Sequence, residues 1–424
     1  MGVMRRRAFL RLGASAAVGT LAAHRTRSVA AAGRRARVVI AGGGFAGSCC
    51  ALELKRLRPA TEVTLVDGDS RYVTCPLSNE VLVGARSLES LGVARAGLQR
   101  AGVRFVHARV AAIEAQQRRV RLQPGTALAY DKLVVAPGIR LLFGKPEGYD
   151  ERAAERMPHA WLAGAQTERL ALQLQTISDG ATLAISVPGG LMRCPPGPYE
   201  RASLIAGWLK QHRPRSKVLI FDANNHFPRQ DVFTAAWQQL YPGMIEWIPP
   251  AEGGALTRVD IRTRTLYSAS GAHRVAVANI IPPQAPGLLA AEAGLASGHG
   301  WCPVRPASFE SELLPDVHVI GDACIAGAMP KAASAARSQA LQCAAAIAAG
   351  LDGRPAPALA LDSVCYSLLS LESAIAMRGS FALEDGEIRQ VQRTAGAPDQ
   401  PPLPAAAREA ADWYARIRSE CFAA

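Results

Sequence analysis

Residues 37–67 read RVVIAGGGFAGSCCALELKRLRPATEVTLVD, the pattern of a strand, a glycine turn, a helix and a second strand. The turn Gly42-Gly43-Gly44-Phe45-Ala46-Gly47 fits G-x-G-x-x-G. Gly42 permits the tight turn, Gly44 lets backbone approach a pyrophosphate, and Gly47 lets helix and strand pack closely. Phosphate then sits at the helix N-terminus, where unpaired N–H groups point outward. Asp67 ends the second strand 25 residues after Gly42, close to where an acid hydrogen-bonds a ribose hydroxyl. A glycine turn can also merely join strand to helix, but here strand, spacing and acid agree. The motif names a dinucleotide without choosing between FAD and NAD.

The 424 residues suffice for two or three domains, and 49% hydrophobic content with 6% aromatics fits a soluble globular protein. The formal charge of +13 includes six arginines before residue 33, without which it is +7. The remaining basic residues are scattered among acids without interleaved aromatics, so a nucleic-acid footprint is not expected. Arg5-Arg6-Arg7, a short apolar run from Leu12 to Ala23 and Ala30-Ala31-Ala32 read as a twin-arginine export signal over residues 1–32. That run falls short of the about 20 residues a spanning helix needs, and no later segment reaches it. A periplasmic location follows, reached by a route that carries folded proteins and so suits a chain that acquires its cofactor first.

Downstream, Tyr130 to Gly138 reads YDKLVVAPG, resembling the strand that closes the first half of the FAD domain in flavoproteins with two dinucleotide folds. Thr182 to Val187 and Lys217 to Asp222 repeat the strand rhythm of the first unit. The repeat is incomplete: PGGLMRCPPG over residues 188–197 replaces the glycine fingerprint. Prolines remove backbone donors and bulky side chains fill the close-approach positions, so no NAD is expected in this second domain. Cys194 precedes a helix expected over Tyr199 to Lys210, a position that favours thiolate. Val317 to Ala323 is a strand ending in Gly321-Asp322, and a helix is expected from Lys331 to Ala348. A terminal helix is expected over Ala405 to Phe422, with Trp413, Ile417 and Cys421 on one packing face.

Nine cysteines occur, an odd number that leaves at least one outside any set of pairs. No C-x-x-C-H haem attachment, no histidine pair at metal-ligand spacing and no G-x-S-x-G elbow is present. Redox chemistry remains. Taken alone, Cys75 reads first as a small apolar filler, and a first-turn acid favoured by the helix dipole is the alternative for Glu200.

The chain resembles the flavoprotein subunit of flavocytochrome c sulfide dehydrogenases, themselves similar to sulfide:quinone reductases. The resemblance rests on TCPLSNEV around Cys75, RCPPGPYERAS around Cys194, Gly321-Asp322-Ala323, Met329-Pro330-Lys331, Cys365 within CYSLL, and Ala411-Asp412-Trp413-Tyr414. It implies an α/β fold of two Rossmann-like dinucleotide-binding domains, glutathione-reductase-like, with a C-terminal interface domain. The FAD-binding domain is expected over 34–148 and 270–350, the second Rossmann-like domain over 149–269, and the flavin-covering domain over 351–424.

The resemblance further implies FAD carried through a thioether to Cys75 and contacted by Gly42, Gly44, Gly47, Asp67, Gly321, Asp322, Lys331 and Trp413. No metal is expected. Cys194 and Cys365 are implied to form a redox disulfide over the flavin, with Glu200 as the active-site acid. Hydrosulfide would open that bridge to a persulfide and a thiolate. Electrons would leave through FAD to a c-type cytochrome subunit in a heterodimer. Quinone-linked sulfide oxidation, oxidation of another thiol or polysulfide, and non-catalytic electron transfer are the alternatives, and an ordinary stabilising bridge is the alternative for the two cysteines. Cys49, Cys50, Cys302, Cys324 and Cys343 read as packing residues.

Overall fold

The computed structural model describes residues 35–298, 300–392 and 404–423; the expected export signal lies outside them. Strand β1 (Arg37–Ala41), helix α1 (Phe45–Leu57) and strand β2 (Glu62–Asp67) make the opening unit. The strands run parallel from Arg37 opposite Glu62 to Ala41 opposite Val66. Val38 to Ala41 are all buried, as a parallel strand covered on both faces requires. The glycines are steric necessities. Gly42 has φ +105°, and a Cβ on Gly47 would fall 1.9 Å from the Gly42 carbonyl oxygen.

A short helix α2 (Ser78–Leu82) follows the Cys75 loop. Strand β3 (Arg104–His107) pairs outside β2, and β4 (Lys132–Val135) pairs on the other side of β1. The sheet order is therefore β3-β2-β1-β4. After β5 (Ile139–Leu141) the chain builds a second parallel sheet. It contains β6 (Thr182–Val187), helix α3 (Gly197–His212), β7 (Lys217–Asp222), β8 (Ile245–Ile248) and β9 (Val277–Ile280). Its order, β8-β7-β6-β9, repeats the first, so the fold is α/β with two Rossmann-like sheets.

The boundary expected at residue 269 falls short. Val277 to Ile280 is wholly buried and pairs with Leu183 to Ser186, closing the second sheet. The turn formers Pro282-Pro283 come after this strand, and the return to the first domain begins there. Strand β10 (Gln284–Pro286) then pairs antiparallel with β5, crossing between the two folds.

Strands β11 (Cys302–Arg305), β12 (Val317–Val319) and β13 (Cys324–Ile325), with the two-residue strand Glu310–Ser311 lying between β11 and β12, complete the first sheet, and β12 runs parallel to β4. Helix α4 (Ala333–Leu351) starts two residues later than the sequence suggested, after Pro330 and Lys331. Its buried face is largely alanine, which lets α1 approach closely. The chain ends in an antiparallel meander, β14 (Ala360–Ser370), β15 (Ser373–Glu384) and β16 (Glu387–Gln392), and helix α5 (Pro404–Phe422). Ala410, Tyr414, Ile417 and Cys421 form the buried face of α5. Among the described residues, no helix is long and apolar enough to cross a membrane.

Candidate active site

A cleft of about 700 Å³ runs between the two sheets and the terminal meander. Gly42, Gly44 and Asp67 line one end; Gly47 lies behind them in the packing against β1. The Asp67 carboxylate accepts the Gly43 N–H at 2.5 Å and lies 3.3 Å from the buried guanidinium of Arg95. Arg95 also donates to the Gly43 carbonyl, so it braces the turn from beneath. Nothing in the local sequence around Arg95 marks this role.

The cleft suits a dinucleotide joined to a ring system. Helix α1 begins beside Gly44 and α4 beside Ala332, and neither has a side-chain cap or an acid in its first turn. Both N-termini line the same cleft, so two sets of unpaired N–H groups would be available there to a diphosphate and an electron-rich ring. In the wall of the cleft, the buried Nε1 of Trp161 is also without a partner.

Asp322 lines the cleft after Gly321, whose φ is +78°. Burial pushes its carboxyl up, opposed by the charges of Arg193 and Lys331. Lys331 was expected to contribute charge directly at the cofactor, but its side chain lines an adjacent smaller cavity. There its ammonium donates to the carbonyls of Asp322 (2.8 Å) and Cys324 (3.0 Å) and lies 3.8 Å from the Trp301 ring centre. Its backbone carbonyl instead receives the Cys194 N–H at 2.8 Å. Lys331 therefore positions a thiol. Trp413 lines the cleft from α5, its ring centre 5.7 Å from that of Tyr366.

Three cysteines face this space: Cys75 after the Arg71–Val73 strand, Cys194 before α3, and Cys365 on β14. The Cys75 sulfur lies 4.0 Å from the Trp161 carbonyl oxygen, which also accepts a bond from Arg193. Cys194 has φ +52°, a left-handed conformation costly for a residue with a Cβ. Gly197 makes room for it, since a Cβ there would lie 2.8 Å from the Trp161 ring and 3.1 Å from the Cys194 sulfur.

The expected thiolate at Cys194 is not what the surroundings favour. The Cys194 side chain is itself exposed to the cleft; its packed surroundings, Glu200 and Cys365 raise its pKa above the ordinary thiol range, and Arg193 opposes the rise. The Cys365 thiol is pushed up to about 11 by burial, against hydrogen bonds from Ser363 and Ser334. All nine cysteines stand as free thiols here, so the bridge implied between Cys194 and Cys365 is not formed, although both line the same cleft.

Glu200, in the first turn of α3, is buried. Asn79 donates to one carboxyl oxygen at 2.9 Å and the Leu368 N–H reaches the other at 3.3 Å. Burial pushes the acid up to about 7, partly offset by these bonds. The neighbouring guanidinium of Arg201 donates to Asn79 Oδ1 (2.9 Å), Asn279 Oδ1 (2.7 Å) and the carbonyls of His159 and Ala160. Asn79, Arg193 and Arg201 lie inside the sequence motifs around Cys75 and Cys194, but their roles appear only when the loops meet. In the second sheet, Asp222 occupies the position equivalent to Asp67. Its buried carboxylate accepts Tyr199 Oη at 2.5 Å and Trp247 Nε1 at 2.9 Å, so it serves the aromatic core.

The family described as sulfide dehydrogenase [flavocytochrome c] flavoprotein chain, central, matches residues 167–282, and flavocytochrome c sulphide dehydrogenase, flavin-binding, matches residues 357–422. A sulfide dehydrogenase [flavocytochrome c] flavoprotein chain from Chlorobaculum thiosulfatiphilum is 51% identical over 45 residues, covering 94% of that sequence and 11% of this chain. The chain belongs to the flavocytochrome c sulfide dehydrogenase flavoprotein family. Its first domain, residues 36–157, matches the wider pyridine nucleotide-disulphide oxidoreductase family.

Flavocytochrome c flavoproteins share this architecture with other flavoenzymes. A sulfide-quinone reductase from Aquifex aeolicus is 28% identical over 43% of this chain, and the match spans 41% of the relative's own length. Mouse mitochondrial sulfide:quinone oxidoreductase is 23% identical over 74% of this chain and 71% of its own. The crystal structure of the Aquifex aeolicus sulfide:quinone oxidoreductase superposes with TM-score 0.72 at 18% identity, covering 92% of this chain and 93% of that one, which bears on the fold. Membership in the flavocytochrome c family makes FAD the cofactor, and the glycine turn, Asp67, Asp322 and two helix N-termini line the cleft that would receive it.

Proposed function

We propose that the chain is the flavoprotein subunit of an exported sulfide dehydrogenase that passes electrons to a c-type cytochrome. The observation that carries this reading is the convergence of Cys75, Cys194, Cys365 and Glu200 on one cleft with the glycine turn. Cys75 anchors the cofactor covalently. Cys194 and Cys365, free thiols in this structure, close into the redox bridge on oxidation, and hydrosulfide opens it by attack on sulfur.

FAD, when bound, supplies a two-electron acceptor that can release electrons one at a time. The chain's residues do the rest. Glu200 takes and returns the proton of hydrosulfide or persulfide, because its burial brings it to about 7. Gly197 and the Lys331 carbonyl hold Cys194 in place. Leu368 closes the pocket on the far side of Glu200.

Delivery of electrons to quinone is the second reading, supported by the relatives named sulfide-quinone reductases. The flavocytochrome-type matches favour haem, because they span the segments carrying Cys194 and Cys365. Sulfide-reduced protein, offered oxidised c-type cytochrome and a water-soluble quinone separately, distinguishes them. Faster reduction of the cytochrome is expected; reduction of quinone alone would overturn the choice.

A further inference from the structure

Glu200 and Arg201 are consecutive, both buried and oppositely charged when ionised, yet they do not pair. The Glu200 carboxyl turns to Asn79 Nδ2 and the Leu368 N–H, while Arg201 spends its donors on four neutral oxygens. One amide touches both groups: Asn79 gives Nδ2–H to Glu200 and takes Nε–H from Arg201 on Oδ1, each at 2.9 Å. An amide is suited to this place because it carries a donor and an acceptor on one planar group. Asn79 belongs to α2, beside the Cys75 loop, so it links the expected cofactor anchor to the acid.

Consecutive side chains of a helix do not face each other, so Glu200 and Arg201 are connected only through a third group. We infer that Asn79 is a positioning residue that links Glu200 to Arg201, so that Glu200 is held where it can exchange a proton and the Arg201 charge stays available to anionic sulfur in the cleft. The inference rests on the proposed sulfide chemistry. There, HS⁻ breaks the S–S bond of the bridge and forms a new one. The products are one persulfide and one thiolate, with the same single negative charge before and after. Glu200 takes the persulfide proton, and Arg201, 5.3 Å from the Trp161 ring centre on the cleft wall, faces the charge that remains. The other ionisable groups facing Glu200 are Glu80 on α2, held by Arg86 at 2.8 Å, Cys194 before α3, and Cys365 on β14.

The test is an infrared pH titration of the Glu200 carboxylic acid band in the purified holoprotein, the band being assigned by its loss in Glu200→Gln. Asn79→Ala removes a hydrogen bond that favours the carboxylate, and the titration midpoint is expected to rise by about one pH unit, a tenfold change in the proton equilibrium. In the isosteric Asn79→Asp the new carboxylate takes Arg201 and repels Glu200, and the midpoint is expected to rise as well. A midpoint in Asn79→Ala that stays put or falls would overturn the positioning role, and an unchanged midpoint in Asn79→Asp would remove Asn79 from the network altogether. Retained flavin absorbance reports that each variant is folded. The titration needs no sulfide, so its outcome is distinguishable from a failure of the sulfide reading.

Discussion

Glu200 receives a hydrogen bond from Asn79 at 2.9 Å in a pocket that otherwise strips it of water. Burial dominates, and the acid titrates at about 7. The folded chain keeps this proton up to that pH, whereas the unfolded chain loses it near about 4.3. Stability contributed by the neutral acid is therefore full below about pH 4, is lost as pH rises toward 7, and stays level above that. Glu200→Gln, which cannot ionise, is expected to be more stable than the native chain at pH 8 by up to roughly 3 kcal/mol, with little difference at pH 4. Thermal unfolding of both proteins across that range checks this.

Gly197 has no room for a side chain between Trp161 and the Cys194 sulfur. Gly197→Ala is expected to cost about 1–3 kcal/mol, in line with overpacking of a filled site. It should also displace Cys194, slowing sulfide-dependent flavin reduction more than dithionite reduction. Denaturant unfolding and stopped-flow reduction read the two effects separately.

Cys75 is half-buried at the cleft, where the proposed thioether would form. Flavin should remain with the acid-precipitated native polypeptide and appear in the supernatant from Cys75→Ser. Mass analysis of the peptide containing Cys75 should show the corresponding added mass, and an unmodified peptide from flavin-loaded protein would remove the covalent link.

The opening βαβ unit was legible because its constraints are local: a Cβ on Gly47 would strike the Gly42 carbonyl five residues earlier, and Val38 to Ala41 form one apolar run. Strand 277–280 was misassigned to the return segment because nothing in a four-residue run tells which sheet will receive it. Pairing with Leu183 to Ser186 decides. The five cysteines read as packing residues are all buried. The place of Cys194 before a helix did not reveal that Cys365, brought in from β14, also raises this exposed thiol. Arg95 and Asn79 were invisible for the same reason: the partners of Arg95 in the glycine turn lie about 50 residues away, and those of Asn79 on α3 more than 100.

The central claim is that Cys194 and Cys365 form the sulfur-exchange centre of this cleft. Its most direct test is anaerobic addition of sulfide to the flavin-loaded protein while flavin absorbance is followed, with Cys194→Ser and Cys365→Ser alongside. The account predicts that sulfide bleaches the native flavin and neither variant's, while dithionite bleaches all three. Equal bleaching of native and variant proteins by sulfide, or a native flavin untouched by sulfide while dithionite reduces it, would contradict it.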